Sequence, residues 1–75
     1  MKFEDLKNLL TEQLCCEAEK VTMDARMVED LGADSLAMVE LVMAVEEASG
    51  IKVPDEDAAS LKTVRDVLEY VNARA

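Results

Sequence analysis

Apolar residues Phe3, Leu6, Leu9, Leu10 and Leu14 recur every three to four positions, with Lys7, Asn8, Glu12 and Gln13 between them. That spacing predicts an amphipathic helix over about residues 3–15, one face toward a core and the other toward water. From Glu17 to Asp34 no helical period is sustained, so the stretch reads as a long connection tacked to the core by Val21, Met27, Val28 and Leu31. A connection of this length inside a small domain is uncommon and usually functional.

Asp34 is a favourable helix N-cap, and neither glycine nor proline interrupts the chain again before Gly50, which predicts a second helix over 35–49. Gly50 suits the left-handed position just past a helix end. Pro54 fits the first turn of a short helix over about 55–60, whose N-terminal dipole Asp55, Glu56 and Asp57 complement. Thr63-Val64-Arg65-Asp66 is a capping-box variant, and Val64, Val67, Leu68 and Val71 follow at helical spacing, giving a last helix over about 63–73. No segment alternates strictly as a half-buried strand would. The predicted fold class is therefore all-α: a small four-helix bundle, three main helices plus a short one, with a long first loop and one domain spanning 1–75.

Composition narrows this picture. Only two aromatics occur, Phe3 and Tyr70, so the core must be aliphatic. No run approaches the roughly 20 apolar residues of a membrane span, and Met1-Lys2-Phe3-Glu4-Asp5 lacks the apolar run of a signal peptide, so the expected location is cytoplasmic. Cys15 and Cys16 are neighbours that cannot staple distant segments, and they read as two small residues ending the first helix.

The net charge of −9 excludes nucleic acid as a natural partner and favours basic protein surfaces. The charge is uneven: residues 24–60 hold ten acids against two bases. A calcium loop begun at Asp30 would put Ser35 where glycine is needed and Leu41 where the bidentate glutamate belongs, and no metal site is expected. With no histidine, and no visible base beside either cysteine, catalysis by the chain itself is not expected.

The second helix carries the most informative pattern. At about 100° per residue, Met38, Leu41, Val42, Val45 and Ala48 share the side that should face the core. The opposite side reads Leu36, Glu40, Met43 and Glu47, with Glu46 on its flank. Large apolar groups set among like charges suit protein docking, acids steering the encounter and apolar atoms supplying contact. The plainer alternative is a solvated acidic helix with ordinary exposed apolar residues. Ser35 stands at the head of this stripe, directly after Asp34. A phosphate-bearing group there would meet unpaired N–H groups and the positive end of the helix dipole. An ordinary capping serine is the competing reading.

The stretch Glu29-Asp30-Leu31-Gly32-Ala33-Asp34-Ser35-Leu36 resembles the phosphopantetheine-attachment motif of acyl carrier proteins. The likeness continues through Val39-Glu40-Leu41-Val42-Met43, Glu46-Glu47 and Val53-Pro54-Asp55. It implies that Ser35 carries 4′-phosphopantetheine, installed by a phosphopantetheinyl transferase, and that acyl chains ride on the arm as thioesters. It also implies that Asp34, Leu36, Glu40, Met43, Glu46 and Glu47 meet basic patches on fatty-acid synthesis enzymes, and that the protein works as a monomer. Leu41, Val45, Val53, Ala58, Leu61 and Val67 match positions that line the acyl pocket. Three departures stand out: Ala37 and Met38 follow Asp-Ser-Leu where many fatty-acid members have an acid next, and Met27 and Ser49 replace common aromatics, bearing on the pocket lining. Polyketide or other specialised carriers share the serine, and an acidic helical interaction module without cofactor is the reading of another class.

Overall fold

The computed structural model describes residues 1–74; Ala75, the last residue of the expected domain, lies outside them. Four helices follow in order: α1 (Phe3–Leu14), α2 (Ser35–Ser49), α3 (Asp55–Ala58) and α4 (Val64–Arg74). The all-α expectation holds, the one extended feature among the described residues being an isolated antiparallel bridge between Arg26 and Thr63. α1 packs chiefly on α2 and also touches α4.

α1 buries Leu6 and Leu10 completely and half-buries Phe3, Leu9 and Leu14, as its period requires. It ends one residue earlier than expected because Cys15 adopts a left-handed conformation, φ 52°, and closes the helix as its C-cap. The long connection is not structureless. It contains a single 3₁₀ turn at Ala18–Lys20 and buries Val21, Ala25, Met27, Leu31 and Ala33.

Loop carbonyls hold this connection in place by accepting from the otherwise unpaired donors at the start of α4. The Val64 N–H donates to the Ala25 carbonyl at 3.0 Å and the Arg65 N–H to that of Met23 at 2.9 Å. Arg65 also pairs with Asp24 at 3.1 Å. Val28, expected to point inward, is instead 58% exposed. Its neighbour Met27 is locked inward, its N–H donating to the Lys62 carbonyl and its carbonyl accepting from Ala33, so the next side chain is turned out.

α4 opens as the capping-box pattern predicts. The Asp66 N–H donates to Thr63 Oγ1 at 3.1 Å, and Asp66 Oδ2 accepts from the N–H groups of Thr63 and Lys62. Val64, Val67, Leu68 and Val71 are all buried. α3 is shorter than expected, with Pro54 as its N-cap rather than a first-turn residue. Beyond Ala58 the chain tightens into i→i+3 bonds, Ser60 to Asp57 and Leu61 to Ala58. Burying no residue of its own, α3 lacks an apolar stripe that would extend it.

In α2, Leu41 and Val45 are buried and Met38 and Val42 half-buried, but Ala48, assigned to the same side, is exposed. Its angle faces inward. It stands two residues before the Gly50 cap, in the last turn of the helix, and its short methyl is left exposed. Gly50 takes the expected left-handed conformation, φ 73°, and its N–H donates to the Glu46 carbonyl.

Candidate functional site

At the start of α2 the helix cap is Asp34 and not Ser35. Asp34 is the N-cap: its Oδ1 accepts from the Ala37 N–H at 2.8 Å, and its carbonyl accepts from Met38. Ser35 is the first helical residue and is exposed, so its hydroxyl is not used as a cap. By helix geometry the N–H groups of Ser35 and Leu36 have no intrahelical acceptor, and they lie beside that hydroxyl. The segment before it is held firmly: Asp30 Oδ2 accepts from the Arg26 N–H at 2.8 Å, and Gly32 at φ 75° turns the chain toward Asp34. A phosphodiester on Ser35 therefore fits without loss of a structural bond and faces the dipole end that favours an anion.

The outward face of α2 is as its pattern predicts. Leu36 is 67% exposed and Met43 59%, with Glu40 and Glu47 exposed between them. Val39, 56% exposed, and Val28 from the loop widen the apolar patch. Val39 was not part of the predicted stripe, although its angle, about 60° from Leu36, sets it beside that face. Glu46 behaves differently from the other acids. It is half-buried, and its Oε2 accepts from the Val53 N–H at 2.8 Å, tying the end of α2 to the segment before α3.

An open groove runs between the first loop, α2 and α3. Asp34, Ser35, Val39, Met43, Glu46 and Ala58 border it. Behind it lies a small, partly open apolar cavity of about 10 Å³, close to the least room one water needs. Five of the six expected acyl-pocket residues, Leu41, Val45, Val53, Leu61 and Val67, line this cavity, whereas Ala58 lines only the groove. Met38, Val42, Tyr70 and Val71 complete the lining. Neither Met27 nor Ser49 reaches it: Met27 is fully buried in the core, and the Ser49 hydroxyl donates to the Val45 carbonyl at 2.6 Å.

Met38, Val42, Val53 and Leu61 border both spaces, so they form the partition between groove and cavity. Helical spacing assigned Met38 and Val42 to the core correctly but carried no sign of this second role. Tyr70 closes another side. Its hydroxyl donates to Asp57 Oδ2 at 2.6 Å, and Arg74 lies 3.7 Å from its ring centroid. The hydrogen bond to Asp57, aided by desolvation, pushes the phenol above its usual value of 10.0.

No group of three or more His, Cys, Asp or Glu side chains is placed to hold a metal ion among the described residues. Nor is any helix among them long and apolar enough to cross a membrane.

A profile of the family described as "Phosphopantetheine attachment site" matches residues 4–71. An acyl carrier protein of Helicobacter acinonychis (strain Sheeba) is 52% identical over 69 residues, covering 92% of this chain and 88% of the relative. That of Helicobacter hepaticus is 51% identical over 71 residues, covering 95% and 93%. That of Thermosynechococcus vestitus is 51% identical over 69 residues, covering 92% and 85%.

Proposed function

Because this chain belongs to the acyl carrier proteins of the phosphopantetheine-attachment family, we propose that Ser35 is its attachment residue and fatty-acid synthesis its pathway. The observation that carries the assignment is the division of labour at the start of α2, where Asp34 caps the helix and leaves the Ser35 hydroxyl free. When bound, 4′-phosphopantetheine supplies the thiol on which an acyl group is held as a thioester.

The chain's own residues supply position, recognition and shelter. The Ser35 and Leu36 N–H groups and the α2 dipole favour the phosphodiester charge. Leu36, Glu40, Met43 and Glu47 form one face that meets basic patches on partner enzymes. A carrier visited by many enzymes needs fast encounters and modest affinity, which exposed like charges around a small apolar patch provide. The partition of Met38, Val42, Val53 and Leu61 admits the acyl chain from the groove to the cavity. At about 10 Å³ that cavity holds no alkyl chain, so loading must spread its walls. Catalysis belongs to the partners, and the protein acts as a cytoplasmic monomer.

Incubation with a phosphopantetheinyl transferase and coenzyme A tests the assignment. Ser35→Ala, helical by circular dichroism, should gain no mass under conditions that convert the wild type. Mass spectra of the acyl groups carried in the native cell separate fatty-acid synthesis from a polyketide or other specialised pathway.

A further inference from the structure

Five methionines occur in the chain, and the fold treats them unequally. Met27 is fully buried, Met1, Met23 and Met38 are half-buried and packed against the core, and Met43 alone is exposed, at 59%. Met43 continues the apolar row of Leu36 and Val39 along α2, with Glu40 one turn before it and Glu47 one turn after. A thioether in that place is a soft apolar contact for a partner and a sulfur open to solvent. We propose that Met43 is an oxidation site and a reversible switch on the docking face: peroxide converts it to the sulfoxide, which weakens partner binding and leaves the fold intact.

The step balances with hydrogen peroxide as the only co-reactant. The sulfur lone pair attacks one peroxide oxygen, an S–O bond forms as the O–O bond breaks, and the other oxygen leaves as water; sulfur is oxidised and the peroxide reduced. Hydrogen peroxide is uncharged, so the flanking carboxylates do not repel it as they would an anionic oxidant. The product's oxygen is a hydrogen-bond acceptor, and burying it against an apolar partner surface strips its water without supplying a donor, a cost the thioether does not incur. A methionine sulfoxide reductase reverses the change, two thiols of a dithiol becoming a disulfide while the oxygen leaves as water. The inference rests on the docking-face reading of α2, but which methionine is oxidised is testable without it.

Peptide mapping by mass spectrometry reads the site after brief hydrogen peroxide treatment of the full chain, quenched with catalase and with dithiothreitol to return Cys15 and Cys16 to thiols. Oxygen should appear on Met43 several-fold faster than on Met1, Met23, Met27 or Met38, with the melting temperature unchanged. The kcat/KM of a phosphopantetheinyl transferase for the singly oxidised protein should fall by about tenfold. Treatment with the two reductases, one for each sulfoxide epimer, should restore it. Met43→Leu keeps both cysteines, and its own kcat/KM should be the same before and after peroxide. Equally fast oxidation of the half-buried methionines, an unchanged kcat/KM in the singly oxidised wild type, or an equal loss in Met43→Leu would each overturn the proposal. Untreated protein that takes up no arm would instead strike at the carrier assignment, leaving the peptide map to judge Met43.

Discussion

The Tyr70 hydroxyl donates a 2.6 Å hydrogen bond to Asp57 Oδ2, joining α4 to an α3 that buries no residue of its own. A helix of four residues without a buried face depends on such ties. Tyr70→Phe should therefore lower the melting temperature and speed amide exchange across residues 55–60. Because a raised phenol value means stability present at lower pH and lost as pH rises through it, the tie persists at neutrality and fails only above pH 10.0. Tyr70 is the one tyrosine, so a phenolate absorbance titration reads it directly. Asp57→Asn should bring its midpoint down.

The capping box of α4 makes the opposite prediction in acid. Backbone donation from the Lys62 N–H first, with that of Thr63, holds the Asp66 carboxyl below its usual value of 3.8. A depressed carboxylate contributes stability above its unfolded value and loses it as pH falls through the folded one. The stability gap between wild type and Asp66→Asn, measured by urea denaturation, should thus be widest near neutrality and close below about pH 4. Thr63→Ala should cost about 1 kcal/mol at neutral pH, the ordinary worth of an N-cap.

The helices and their caps were legible in the sequence because each depends on neighbours within a turn: Asp34 with Ala37, Thr63 with Asp66, Gly50 after Ser49. So was the stripe of Leu36, Glu40, Met43 and Glu47, which is a matter of angle alone. What escaped depends on distant contacts. Val28 turns outward because Lys62 and Ala33 hold Met27, and Ala48, in the last turn of α2, is exposed although its angle faces inward. Glu46 looked like one more surface acid, and its bond to Val53 spans seven residues across a turn. The cavity is less visible still, since Tyr70 and Val71 join it from α4 through packing that no local pattern encodes.

Crowded like charge should cost stability. With ten acids against two bases in residues 24–60, self-repulsion in the compact state is relieved by screening. The melting temperature should rise through a sodium chloride or magnesium chloride titration. A melting temperature that stays level or falls would contradict this account of the charge.

The same acids should govern encounter rate. Glu40→Lys combined with Glu47→Lys should lower the transferase kcat/KM by about tenfold or more at low salt, and the deficit should shrink as salt rises. Leu36→Ala and Met43→Ala should also lower it, but with little salt dependence, because they remove contact rather than steering.

The central claim is that the free hydroxyl of Ser35 is the tether. Intact-mass spectrometry of the full chain after incubation with a phosphopantetheinyl transferase and coenzyme A tests it most directly, with fragmentation to locate the change. The account predicts a gain of one phosphopantetheine arm per chain, carried on Ser35. No gain in mass, or an arm on any other residue, would contradict it.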